Sequence, residues 1–143
     1  MAQRITGSGY QFSAPGDWEV AKAGRNATAR PGGGPMLASV SVLELRKRYR
    51  PALFAGAARE LDRITAALAA KLGGKVVARR SVVVGGIRSR QYDVAYTRAD
   101  VRLIDRITYV LRNKTEYYLL CRWPADEAVP AACAQLTSTF RVR

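Results

Sequence analysis

Residues 82–123 constrain the fold more than any other stretch, because they read as antiparallel hairpins in series whose cross-strand pairs check one another. With 88–98 and 101–112 as strands joined at Ala99-Asp100, one face sets Tyr96 opposite Leu103, Tyr92 opposite Ile107 and Arg90 opposite Tyr109. The other face pairs Asp93 with Arg106 and Thr97 with Arg102. Aromatic and aliphatic side chains meet, and acid meets base. Opposed pairs of this kind contribute roughly 0.2–1 kcal/mol each, and a slip of one residue would turn every side chain to the wrong face.

The next turn, Asn113-Lys114, suits a tight hairpin because Asn tolerates positive φ. It sets Leu120 opposite Ile107, Tyr118 opposite Tyr109 and Arg122 opposite Asp105. Asp105 interrupts the apolar run Val101, Leu103, Ile107, Tyr109, Leu111, and a half-buried carboxylate without a partner costs several kcal/mol. Arg122 supplies that partner. Gly85-Gly86 marks a further turn, which joins Val82-Val83-Val84 to the strand from Ile87 onward.

Ahead of this meander, residues 9–20 read as a short strand, a Pro-Gly turn and a second short strand. Residues 24–35, with Gly32-Gly33-Gly34, read as a slack loop. Residues 36–46 alternate as a strand, with Val40 and Val42 on one side and Leu37, Leu43 and Leu45 on the other, which calls for cover on both faces. Residues 51–72 predict a helix of about five turns. Pro51 suits its first turn, Gly73-Gly74 ends it, and Phe54, Ala57, Ala58, Leu61, Ile64, Thr65, Leu68 and Leu72 form an apolar stripe read as core. The meander occupies residues 76–123. A short C-terminal helix is expected within 125–139, with Asp126 and Glu127 near its start and Phe140 packed at its end. The whole of 1–143 reads as a single domain.

The chain holds 24 Lys and Arg against 11 Asp and Glu, a formal charge of +13. Such charge suits an anionic partner, but it also arises as a merely solvated basic surface. Arg46, Lys47, Arg48 and Arg50 are its densest cluster and the candidate anion-binding patch. No recognised nucleic-acid motif accompanies them, so specific nucleic-acid binding is not expected. Histidine is absent, which removes the commonest general base and metal ligand. No apolar run reaches the ~20 residues of a membrane-spanning helix. Residues 1–10 hold no signal core, which leaves a cytoplasmic protein or an exported domain whose signal lies outside this sequence.

Cys121 on the last strand and Cys133 on the terminal helix are placed so that pairing is sterically feasible, which would indicate an extracytoplasmic compartment. Two buried thiols are the alternative. Two thiols without histidine make an incomplete zinc set, so no metal and no cofactor is expected. Nor do nucleophile, base and phosphate-loop patterns assemble, and Gly32-Gly33-Gly34 lacks a strand-to-helix context. Asp105 is the one carboxylate set on an apolar face. Its pairing with Arg122, like that of Asp93 with Arg106, reads as structural, and no enzyme is expected.

The opening Gly9-Tyr10-Gln11-Phe12-Ser13-Ala14-Pro15-Gly16-Asp17-Trp18, the single long helix, the meander, Tyr117-Tyr118-Leu119-Leu120 and the closing Ser138-Thr139-Phe140-Arg141 together resemble the PsbP-like family. That family includes a photosystem extrinsic protein, a Ran-binding nuclear import factor and bacterial lipoproteins. The resemblance implies an α+β fold, an α/β/α sandwich around a central antiparallel sheet, with a non-enzymatic scaffold or binding role. Residue pattern agrees, since Ile104, Val110, Tyr117, Leu119 and Trp123 give the meander a second apolar face. A sheet curled round the helix, as in cystatin-like domains, is the alternative. The expected function is binding of a protein or small ligand by an exported or surface-tethered bacterial domain. Two alternatives are an intracellular chaperone-like role, shielding apolar segments of a secreted partner, and electrostatic attachment to nucleic acid or an anionic membrane.

Overall fold

A computed structural model describes residues 1–143. Nine strands and two α-helices follow in the order β1 (Ala2–Gly7), β2 (Tyr10–Pro15), β3 (Glu19–Ala23), β4 (Asn26–Arg30), β5 (Leu37–Tyr49), α1 (Phe54–Lys71), β6 (Lys75–Val84), β7 (Ile87–Arg98), β8 (Val101–Pro124), α2 (Ala131–Thr139) and β9 (Arg141–Val142). The large antiparallel sheet has the order β3-β4-β5-β8-β7-β6, and the small one β1-β2-β9.

The register read from the sequence is the register of the sheet: Tyr92 faces Ile107, Asp93 faces Arg106 and Tyr96 faces Leu103. β8 doubles back at Asn113, whose φ is 55°. The Ala125 amide consequently donates to the Arg102 carbonyl at 2.8 Å, and the two halves of β8 pair separately with β7 and β5. The turns have the backbone that two-residue hairpins require, with φ of 58° and 81° at Gly85 and Gly86 and of 49° and 64° at Ala99 and Asp100. Glycine adopts such angles freely, whereas Ala99 does so at roughly 1–2 kcal/mol.

Cores form on both faces of this sheet. Tyr92, Val94, Tyr96, Leu103, Ile107 and Tyr109 pack with Leu61 and Ala69 of α1. On the other face Val40, Val110, Tyr117, Leu119 and Trp123 are buried with Ile5, Tyr10 and Phe12 of the small sheet and Leu136 and Phe140 at the C-terminus. Burying one side chain of this size stabilises by roughly 1.5–3 kcal/mol. Ring centroids of Tyr10, Tyr117 and Phe140 lie 5.4–6.2 Å apart, which locks the small sheet to the end of α2. The layer opposite α1 is therefore α2 together with a small sheet. A sheet curled round one helix does not describe it.

Several boundaries differ from the sequence reading. The slack loop 24–35 contains β4, whose Ala27 and Ala29 are buried between β3 and β5. Two alanines give too little hydrophobic contrast to announce a strand. The two strands within 9–20 part company, β2 joining the small sheet and β3 the edge of the large one. β1 and β9, unread in the sequence, complete the small sheet. The C-terminal helix begins at Ala131, because Pro130 is its extended N-cap with ψ 151°. Asp126 and Glu127 lie in the preceding turn, where the Glu127 amide bonds the Pro124 carbonyl at 3.0 Å, and neither reaches the first helical turn. Residues 51–53 form a 3-10 turn that leads into α1. Gly73, at φ 73°, ends that helix, with the Gly74 amide bonded back to the Ala69 carbonyl at 2.9 Å. Within the apolar stripe Phe54, Leu61 and Thr65 are buried, as is Ala69 beside it, but Ile64 is 46% exposed and does not belong to the core.

Candidate functional site

The residues singled out in the sequence fall into two groups. The first holds the fold together. Cys121 and Cys133 are joined by a disulfide of 2.03 Å that ties β8 to α2. Asp105, 4% exposed, accepts from Arg122 Nε and Nη2 at 2.8 and 3.1 Å and from the Tyr96 hydroxyl at 3.0 Å. Its bond above all makes the Arg122 guanidinium more basic than usual. Asp93 accepts two bonds from Arg106 and one from Arg80, at 2.9–3.1 Å, and the Arg106 guanidinium lies 5.3 Å over the Trp123 ring. A third clasp went unread because its members lie on different elements. Asp62 of α1 takes Arg90 Nε and Nη2 at 3.0 and 3.2 Å and the Tyr92 hydroxyl at 2.5 Å. Burial pushes the Asp62 carboxyl up, but these hydrogen bonds and the charges of Arg90 and Arg79 outweigh it and hold the group below its ordinary range. Each of the three carboxylates is thus occupied by arginine.

The second group gathers at one end of the molecule. α1 packs on β6 and β7, so the β5 side of the same sheet face lies open along the flank of the helix. β5 keeps register with β8 as far as Glu44 opposite Thr115 and regains it only at Tyr49 opposite Asn113. The bulge between carries Leu45, Arg46, Lys47 and Arg48 out of that ladder. Arg46, Lys47, Arg48 and Arg50 are all exposed. The strand runs three residues past the predicted end at 46, so that Arg46, Lys47 and Arg48 belong to β5, and Lys47 and Arg48 form part of a groove wall.

This groove, about 470 Å³, is floored by Leu61, Leu111 and Glu116 and walled by Leu45, Leu53, Ala57 and Ile64. It shares Tyr49 and Leu111 with a second cavity of about 560 Å³ lined by Phe54, Ile87, Arg88, Arg112 and Asn113. Both volumes fall in the range of small-molecule sites. Burial raises the carboxyl of Glu116 above its ordinary value, and burial likewise raises the Tyr49 hydroxyl, against the opposing charge of Arg88. Arg88 stacks 4.1 Å over the Phe54 ring. Leu53, Ile64, Arg88, Arg112 and Glu116 were not recognised in the sequence as site residues. The one available signal was Ile64, which sits at the edge of the stripe on a helical wheel.

No family model matches the sequence, and no curated protein matches it in sequence. Solved structures do match. Cyanobacterial PsbP (CyanoP) from Synechocystis sp. PCC 6803 is 14% identical with a TM-score of 0.75, over 99% of this chain and 92% of that one. LpqN, involved in cell envelope biogenesis of Mycobacterium tuberculosis, is 11% identical with a TM-score of 0.59, over 99% of this chain and 90% of that one. A Bacteroides thetaiotaomicron protein is 10% identical with a TM-score of 0.65 over 94% of this chain. The match covers 45% of that protein, so this chain spans less than half its length. The fold is PsbP-like.

Proposed function

We propose that this chain is a non-enzymatic binding domain of an exported bacterial protein, and that it takes its ligand in the groove between α1 and the bulged end of β5. One observation carries the reading. Leu53 and Ile64 remain 52% and 46% exposed on the groove wall, and Leu43, on the strand that borders it, is 49% exposed. Apolar side chains held open around a cavity, beside a cluster of bases, suit recognition better than core packing. The engagement of Asp62, Asp93 and Asp105 by arginines supports a role without catalysis. The Cys121–Cys133 bond supports an oxidising compartment, in keeping with a structural neighbour named for cell envelope biogenesis.

A screen of small neutral apolar fragments, followed by backbone amide shifts in NMR spectra, tests the site. Shifts are expected to cluster at Leu45, Leu53, Ile64 and Leu111. Hits scattered over the surface, or gathered at the cavity of about 610 Å³ beside Val77 and Val101, would overturn the assignment.

A further inference from the structure

Most arginines of this basic chain stand on the surface without an acidic partner, and what sets two of them apart is that they converge on one cavity. Arg79, Arg80, Arg90, Arg106 and Arg122 each lie within 4.0 Å of a carboxylate. Arg88 and Arg112 form no ion pair, although both line the same cavity beside Tyr49 and Phe54. Stacking on Phe54 fixes the Arg88 guanidinium, so little side-chain freedom remains to be lost when an anion binds. The adjoining groove has the opposite character. Its surface is formed by Leu53, Ile64 and Leu111, and its nearest bases, Lys47 and Arg48, stand on the bulge.

Resting on the reading of this groove as the binding site, we propose that the ligand is an amphiphilic anion, a single molecule whose acidic head sits between Arg88 and Arg112 and whose aliphatic chain lies along Leu53, Ile64 and Leu111. Charge complementarity favours one orientation, because Lys47 and Arg48 share the groove with two carboxylates whereas Arg88 and Arg112 share their cavity with none. Glu116 stands in the apolar groove with no ion-pair partner, and its carboxyl would repel an acidic head placed there. Glu60, in the groove wall, is already paired with Arg63. Arg88 and Arg112, both free of ion pairs and lining one cavity, favour the head at the other end, where hydrogen bonds to a charged group are the strong kind. The aliphatic chain gains from every methylene withdrawn from water.

Isothermal titration with decanoate, kept below its micelle concentration, tests this. Acetate supplies the head alone, and decyl maltoside supplies the chain on a neutral head. Decanoate is expected to bind one molecule per chain, with acetate and decyl maltoside weaker by about tenfold or more. The pair Arg88→Gln and Arg112→Gln should weaken decanoate by a similar factor and leave the protein folded, with at most a small drop in melting temperature from loss of the Arg88 stack on Phe54, since both side chains are exposed. If decyl maltoside binds as well as decanoate, or the paired variant binds decanoate undiminished, the anionic head is refuted and the groove reading survives. If neutral fragments occupy the groove but decanoate does not bind, the inference falls alone; if neither binds, both fall. Sedimentation with phosphatidylglycerol vesicles, without uptake of monomeric decanoate, would mean that a membrane surface is the true source of the anion, and that also overturns the proposal.

Discussion

Replacing Arg122 with methionine is expected to lower the unfolding free energy by roughly 3–5 kcal/mol. Asp105 is 4% exposed and takes both of its charge-assisted bonds from Arg122. Without the guanidinium, the Tyr96 hydroxyl is the one side-chain donor left to a buried carboxylate. Desolvation of an uncompensated charge then outweighs any gain from the methionine stem. Asp105→Asn should also destabilise the fold, because an amide accepts the Arg122 fork poorly. The paired change Arg122→Met with Asp105→Leu should recover much of the loss, since well-packed apolar residues often replace a buried ion pair at no cost. Urea unfolding measures all three. A loss below about 1 kcal/mol for Arg122→Met would place this pair among surface bridges and contradict its structural role.

The second large effect is removal of the disulfide. Cys121→Ala with Cys133→Ala is expected to cost about 3 kcal/mol, the chain-entropy value for a loop of this length, from a bond that spans 12 positions. Both cysteines are buried in the core between β8 and α2, so alanine, which leaves no unsatisfied hydroxyl, is the fairer replacement. Loosening should begin locally. α2 packs on β2 and β8, and its contact with the small sheet passes through Phe140 and through the Ser13 amide bonded to the Thr139 hydroxyl at 2.8 Å. Amide exchange in α2, β1 and β2 should therefore rise before exchange in β7 and β8. Equal stability with and without the bond would show that the aromatic cluster alone holds this layer.

The parts of the fold legible in the sequence were those whose signals check one another. Tyr92, Asp93 and Tyr96 each found a complementary partner in one register, and Arg122 met Asp105 through the adjoining one. Those constraints fix the meander, and with it the two faces of the large sheet. What escaped notice lacked such contrast. β4 is Asn-Ala-Thr-Ala-Arg, with two small residues on its covered side. β9 is a strand only because β2 lies beside it, which is a tertiary fact, whereas β1 pairs with β2 through the local Ser8-Gly9 turn and was missed because Ala2–Gly7 carries little apolar alternation. The structural clasps Asp105–Arg122 and Asp93–Arg106 could be read from register, whereas Asp62 with Arg90 needed the placement of α1 over β7. The groove was least legible of all. It exists because α1 lies over β6 and β7 and leaves the β5 side uncovered, and no periodicity along one helix reports where the helix sits across a sheet. Ile64 therefore read as core.

Ile64 is also where the account can be tested most directly, by the urea midpoint of Ile64→Lys beside those of the parent and of Leu61→Ala. If the groove is open and kept apolar for a ligand, Ile64→Lys leaves the midpoint unchanged or raises it, as substitutions at binding sites often do. Leu61→Ala, in the core three positions away, should lose roughly 2–5 kcal/mol. A loss for Ile64→Lys as large as that for Leu61→Ala would mean that the side chain is packed in the core, and the groove would not exist as described.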